Sequence, residues 1–204
     1  MGHRDFSRLE TSLVARGYTV RVFDTSAEAT AYLDHAIDGQ TVGFGGSQTL
    51  ETMGLYELLE CHNQVAWHHR VPAGKTADEM RAAASAASVY LSSVNGIDEQ
   101  GEIVNIDYTG NRVASLCYGH EKVYLVVGEN KVEPDLEHAL HRARNVASPR
   151  NAQRLNVKTP CAVRGERCYD CSSPERICRA LQVLWRKPAS MDFEVVLVHE
   201  DLGF

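Results

Sequence analysis

TVGFGGSQTL, running from Thr41 to Leu50, is the stretch that decides how this chain is read. Val42 and Phe44 form the end of a short apolar strand. Gly43, Gly45 and Gly46 supply a backbone free to take positive φ and to approach a ligand closely. Ser47 and Thr49 follow as hydroxyl caps for a helix that carries Glu51 and Glu57. A strand, a glycine turn and a helix start, in that order, present unpaired N–H groups beside the positive end of a helix dipole. Such a junction suits a phosphate or a carboxylate. The stretch is neither GxGxxG nor a Walker loop, so on the motif alone a ligand-free turn explains it equally well.

Outward from this junction, helical and strand periodicities alternate. On the N-terminal side, residues 4–16 place Phe6, Leu9, Leu13 and Val14 at helix spacing, Tyr18 to Phe23 alternates as a strand, and Asp24 or Ser26 caps a helix reaching Ile37. On the C-terminal side the spacing predicts a helix over Thr49 to Leu59 and a short strand over Gln64 to Trp67. An alanine-rich helix over Ala77 to Ala87, capped by Thr76, and a buried strand over Ser88 to Ser93 come next. Turns at Asn95-Gly96 and Gln100-Gly101 precede a strand over Glu102 to Ile106, a helix over Gly110 to Tyr118, a strand over Lys122 to Val127 and a helix over Asp135 to Ala147. This alternation predicts an α/β fold with a mostly parallel sheet flanked by helices. The expected organisation is an α/β domain over residues 1–156 and a cysteine-rich segment over 157–204. In that segment the apolar runs Ala180 to Trp185 and Phe193 to His199 complete the same domain.

Composition narrows the function. The 204 residues are 44% hydrophobic, enough for a substantial core, and their net charge of −6 argues against a nucleic-acid partner, which needs a basic surface. No apolar run approaches the roughly 20 residues of a membrane span. The opening MGHRDFSRLETSL is polar and amphipathic without a signal-peptide core, which predicts a cytoplasmic protein with reduced thiols. Six cysteines there point to metal or redox chemistry before disulfides.

In open α/β sheets ligands sit beyond the carboxyl ends of the strands. Polar, glycine-containing loops fall there at Gly45-Gly46-Ser47, at Ser92 to Gly96, at Asp107 to Arg112 and at Gly128 to Lys131. Arg112 has the fork to clamp a carboxylate or phosphate, and Asp107 the carboxylate for a general base or a sugar-hydroxyl acceptor. Singly, Asp107 reads as a helix cap, Asn95 as a turn residue, Arg112 as a partner of Asp107, and Lys131 as solvated surface. Jointly the loops predict a pocket for a small anion or polyol. Its lining is Gly45, Gly46, Ser47, Thr49, Ser93, Asn95, Asp107, Gly110, Asn111, Arg112 and Lys131, with Asp107 and Arg112 the catalytic candidates.

Several segments resemble the lactate-utilisation (LUD) domain family: VGFGGSQTLETMGL, SSVNGIDEQGEIVNIDYTGNRVASLCYG, KVYLVVGENKV and RNVASPRNAQRL. TPCAVRGERCYDCSSPERIC resembles the tail of its short, cysteine-containing members. The resemblance spans roughly Tyr18 to Cys178 and implies the NagB/RpiA/CoA-transferase-like fold. The ribose-phosphate-isomerase and initiation-factor-2B-like members of that superfamily hold a sugar phosphate on the glycine loop and an Asp/Gly turn. By that resemblance Gly45 to Thr49 is the phosphate loop, and Asn95, Asp107, Gly110 and Lys131 line the pocket. The isomerases carry an acid-rich turn where this chain has Ser93-Val-Asn-Gly96. Asn95 cannot serve as a base, and the CoA-transferase glutamate has no counterpart.

Cys161, Cys168, Cys171 and Cys178 are spaced C-x6-C-x2-C-x6-C, four thiols within 18 residues. That arrangement can surround one metal centre, and spacing alone leaves tetrahedral zinc and a [4Fe–4S] cluster open. Ser172-Ser-Pro-Glu175 reads as a helix start that places Cys171 at a helix N-terminus, where the dipole favours thiolate. The resemblance tips the choice to iron–sulfur, because the family is associated with iron–sulfur lactate-oxidation proteins. It implies a redox accessory in the oxidation of lactate or a similar 2-hydroxy acid, with iron–sulfur or oxidoreductase partner subunits; a homodimer is compatible with it. The alternative is an enzyme or sensor for sugar-phosphate or CoA-type ligands, with structural zinc. Cys61 and Cys117 read as packing residues, His68 and His69 as a loop pair pointing different ways, His138 and His141 as exposed, and His199 as structural.

Overall fold

The computed structural model describes residues 3–204, so Met1 and Gly2 of the polar opening lie outside the described residues. The strands are β1 (Thr19–Phe23), β2 (Thr41–Phe44), β3 (Gln64–Ala66), β4 (Val89–Ser93), β5 (Gly96–Asp98), β6 (Ile103–Asp107), β7 (Lys122–Gly128), β8 (Val132–Glu133), β9 (Ala180–Leu184) and β10 (Asp192–Val198). The α-helices are α1 (Ser7–Ala15), α2 (Ser26–Ala36), α3 (Gln48–Thr52), α4 (Leu55–Leu59), α5 (Ala77–Ser85), α6 (Asn111–Ser115), α7 (Leu136–Arg142), α8 (Ser148–Arg154) and α9 (Pro160–Arg164). Six strands form a parallel sheet in the order β1-β10-β7-β4-β2-β3, so the last strand of the chain lies inside it. A second sheet, β8-β5-β6-β9, is antiparallel except where β5 meets β8. Among the described residues no helix is long and apolar enough to cross a membrane.

The central strands are buried on both faces, which is why they read as continuous apolar runs. Val123, Leu125 and Val127 join Leu9, Leu13, Met80 and Leu116 on one face. Tyr124 and Val126 join Leu33, Ile37, Leu50, Leu55 and Leu59 on the other. Helix α5 lies so close to β2 that a side chain at Gly43 would stand 2.2 Å from the Ala84 carbonyl. Small residues on both elements permit that approach.

Several boundaries differ from the sequence reading. Thr25, not Asp24 or Ser26, caps α2, through a capping box with Glu28. The helix expected over Thr49 to Leu59 is two short helices, parted at Gly54 with φ +64°. Gly96 opens strand β5 where a turn was expected, and the helix expected to stop at Tyr118 ends at Ser115. The helix expected to stop at Ala147 runs on through a π-helical turn, Ala143–Ala147, into α8. Pro149 offers no N–H for the carbonyl four residues back, and the widened turn accommodates it while Ser148 Oγ bonds Ala143 O at 2.8 Å. No helix begins at Ser172, so Cys171 gains no helix dipole; Cys161 instead sits on α9. Cys61 and Cys117, expected to pack inside, are both exposed.

Candidate functional site

Because β2, β4 and β7 run parallel, their carboxyl ends share one edge of the sheet. The loops leaving that edge, with the end of β6 and helix α8, wall a cavity of about 530 Å³. Gly46, Ser47, Thr49, Ser93, Asn95, Asp107, Asn111, Arg112 and Lys131 line it together. Gly45 does not: its N–H bonds Leu91 O at 2.8 Å, and a side chain there would meet Ser92 Oγ at 2.8 Å. Gly110 also stays outside the lining, at the N-cap of α6 with φ +88°. The Ser47 hydroxyl accepts from Leu50 N–H at 3.3 Å, while the N–H groups of Gly46 and Ser47 find no acceptor among the described residues.

Lys131 is only 3% exposed. Its Nζ donates to Thr49 Oγ1 at 2.7 Å and to Ser93 Oγ at 2.8 Å. Both hydroxyl protons are already committed, Thr49 to Leu202 O at 3.2 Å and Ser93 to Val126 O at 2.6 Å. Lys131 must therefore be the donor in both bonds, and its remaining valence meets no partner among the described residues. No carboxylate pairs with it among those residues. Burial, reinforced by the charges of Arg142 and Arg112, pushes its amine well below the ordinary lysine range.

Arg112 is buried too, but both of its terminal nitrogens are engaged. Nη1 bonds Ser93 O and Asn105 Oδ1, both at 3.1 Å, and Nη2 bonds Asn95 Oδ1 at 2.9 Å and Ile106 O at 2.7 Å. The fork expected to clamp a ligand is thus taken by protein oxygens, and Arg112 contributes charge to the cavity rather than a free bidentate pair. Nor does its guanidinium pair with Asp107. That carboxylate instead accepts backbone N–H bonds from Tyr108 and Arg112 at 2.9 Å and from Val113 at 3.3 Å, the work of a helix cap.

His68 and His69, read from the sequence as a loop pair pointing different ways, both line the cavity, as do Arg81, Asn151 and Arg154, which the sequence reading did not single out. Strand β3 pairs parallel with β2, so the histidine pair that follows it reaches the same edge. The two rings stand 4.6 Å apart, edge to face. A side chain at Gly46 would lie 3.3 Å from His68 Nε2 and 3.6 Å from His69 Nε2, so the glycine lets both rings close over the loop. His68 Nδ1 is buried without a partner among the described residues. Burial, then His69 and Arg81, bring the His68 pKa down to about 4. Burial also lowers His69 despite its 3.2 Å contact with Glu51. At neutral pH the histidine wall is uncharged.

The cysteine segment closes the cavity from the far side through Pro174, Glu175 and Ile177. Arg176 ties the segment together, bonding the carbonyls of Cys171 at 2.8 Å and Cys178 at 3.0 Å and the Asp170 carboxylate at 3.1 Å. Cys168 and Cys178 face a second cavity, of about 260 Å³, beside Arg144, Arg176 and Arg179. All four thiols are free. None belongs to a group of three donor side chains within 4.8 Å of one another among the described residues. Thiolates on one tetrahedral zinc stand about 3.8 Å apart for Zn–S near 2.3 Å. No three of the four thiols stand that close to one another among the described residues.

The family model described as LUD domain matches residues 6–198. No curated protein gives a significant match. Among solved structures, the chain is similar to a DUF162 family protein from Deinococcus radiodurans, with a TM-score of 0.52 and 14% identity over 94% of each chain. That likeness speaks to the fold alone.

Proposed function

The chain belongs to the LUD domain family, which is associated with lactate utilisation, and from that premise we propose that it binds a small organic anion in the cavity at the carboxyl ends of β2, β4 and β7. The first candidate is a 2-hydroxy acid such as lactate. The observation that carries this reading is Lys131, a buried amine with two neutral acceptors, one open valence and no counter-charge. Buried charges are stable only when paired, and an anion in the cavity supplies the pair. The free N–H groups of Gly46 and Ser47 add donors, Arg81, Arg112 and Arg154 add positive potential, and His68, with Nε2 turned toward Gly46, adds a neutral ring to the wall.

The redox part of the proposal rests on Cys161, Cys168, Cys171 and Cys178, which would hold a [4Fe–4S] cluster. Such a cluster supplies one-electron transfer, here toward an oxidoreductase partner. Arg144 Nη2 stands 3.8 Å from Cys168 Sγ, and Arg144 and Arg176 line the cavity that Cys168 and Cys178 face.

Calorimetry with L-lactate, D-lactate and inorganic phosphate on wild type and Lys131→Met tests the ligand reading. Saturable binding of a carboxylate, lost in the variant, supports it; no binding of any of these anions overturns it. Anaerobically purified protein is expected to carry about four irons per chain, and iron-free protein would refute the cluster.

A second reading has one observation in its favour. A cavity of about 530 Å³ exceeds what lactate fills and lies in the range that accepts a larger ligand. A sugar phosphate or CoA-type ligand, with structural zinc on the cysteines, goes with the NagB/RpiA/CoA-transferase-like classification. Binding of phosphosugars in preference to lactate would select it.

A further inference from the structure

A second group of donors lies at the same sheet edge, outside the cavity. Strands β7 and β10 are in register with Gly128 opposite Val198, so the residues that follow, Glu129 and His199, leave the sheet side by side. The N-terminal segment crosses them and brings His3. One donor atom from each of His3, Glu129 and His199 lies within 4.8 Å of the other two. His199 Nδ1 stands 3.7 Å from Glu129 Oε2, beyond hydrogen-bond reach. That nitrogen is buried and has no hydrogen-bond partner among the described residues.

Backbone and ring contacts hold the group in place. The His199 ring stacks on Phe6, with centroids 4.4 Å apart and planes 8° apart, and the His199 backbone N–H bonds Phe23 O at 3.0 Å. Glu129 N–H bonds Glu200 O at 3.0 Å, and its carboxylate accepts from the Arg4 backbone N–H at 3.3 Å. The nearby guanidinium groups of Arg4 and Arg8 are paired with Glu99, at 3.8 and 3.1 Å, which limits their repulsion of a cation.

We propose that His3, Glu129 and His199 form a binding site for a divalent transition-metal ion of the zinc type. Two imidazoles and one carboxylate make a donor set that suits zinc and its neighbours in the first transition row. On a tetrahedral ion with bonds near 2.1 Å, donors stand about 3.4 Å apart. Closing the group from its present spacing takes about 1 Å of side-chain movement, which the exposed His3 can supply. Three protein ligands leave a further position open to water or a small ligand, the mark of a site that does more than brace the fold.

The cysteine segment can also take divalent metals, so the test uses the full chain with Cys161, Cys168, Cys171 and Cys178 replaced by serine. Titration with Co²⁺ is expected to give visible d–d absorption saturating at about one equivalent per chain, without thiolate charge-transfer bands, and to be reversed by Zn²⁺. Glu129→Gln and His199→Gln should each weaken binding by about tenfold or more. Absence of saturable binding, or binding indifferent to both substitutions, overturns the proposal. Should the serine variant fail to fold, the same comparison is made on the cysteine-intact chain. There, loss of a Co²⁺ equivalent lacking charge-transfer absorption in His199→Gln supports the site, and an unchanged stoichiometry refutes it.

Discussion

Replacing Lys131 with methionine is expected to stabilise the ligand-free protein while removing its response to anions. The substitution deletes two hydrogen bonds, at 2.7 and 2.8 Å. Each costs about 1 kcal/mol, toward the low end of its range because the acceptors are hydroxyls that keep their own bonds to Leu202 O and Val126 O. Against that stands an amine buried without counter-charge, with Arg142 and Arg112 repelling its proton. The penalty for burying such a group is several kcal/mol, and giving up the proton relieves only part of it. A methionine of similar length fills the space with no charge to desolvate. The balance favours the variant by about 1–2 kcal/mol, which for a chain of this size raises Tm by roughly 2–8 °C. Thermal and urea unfolding at low ionic strength, with and without lactate or phosphate, measure both effects. A variant less stable than wild type by 2 kcal/mol or more, in the absence of any anion, would refute this account of Lys131. So would a variant that keeps the full anion-induced shift.

Arg112→Met should do the opposite and cost about 3–5 kcal/mol in urea unfolding, since it removes four buried hydrogen bonds, and among the described residues only Asn95 Oδ1 and Ser93 O keep a second donor, from Ile106 N–H and Ser92 Oγ. Gly46→Val should leave the fold intact and weaken ligand binding by tenfold or more in calorimetry, because the new side chain stands 3.3 Å from His68 and displaces the histidine wall. Acid should act through His68. The unfolded chain takes a proton near pH 6.5, whereas the native ring stays neutral to about pH 4, so stability is lost as pH falls from 6.5 to 4 and is unaffected above that window. Discounted for the partial exposure of the ring, the loss is on the order of 1–2 kcal/mol, and His68→Gln should remove it from the pH profile.

Periodicity made the scaffold legible, because strands such as Lys122–Gly128 are buried on both faces and their apolar runs can mean little else. Nine of the expected lining residues do meet at one cavity, since position at the carboxyl end of a parallel strand is a property of order along the chain. What could not be read was partner choice. Arg112 looked like a free clamp because nothing local says that Ser93, Asn95, Asn105 and Ile106 will claim its guanidinium. The loop after Lys122–Gly128 places Lys131 at the pocket, but its burial could not be read, because it depends on Thr49, 82 residues away. His68 and His69 were set aside because β3 is three residues long and its place beside β2 is a long-range fact. The helix expected at Ser172 carried a capping signal with no apolar face behind it, and in the structure the segment packs as a loop against the cavity instead.

The two candidate centres are joined by a physical wall, and this bears on why one short chain carries both. Ile106 and Ser148 line the candidate ligand cavity on one side and the cavity faced by Cys168 and Cys178 on the other. The segment between Cys171 and Cys178 lines the candidate ligand cavity through Pro174, Glu175 and Ile177, while Arg176 in its middle turns back to hold the carbonyls of both cysteines. Any ligand that presses on Ile177 therefore presses on the loop that sets the thiol positions. Any centre that draws the thiols together must likewise reshape the cavity wall. On the proposed reading, ligand binding and centre assembly are thermodynamically coupled, equally in both directions. The prediction is that lactate affinity changes between cluster-loaded and cluster-free protein, with Ile177→Ala reducing the difference. Equal affinity in the two forms would mean that the shared wall is rigid and the two sites act independently.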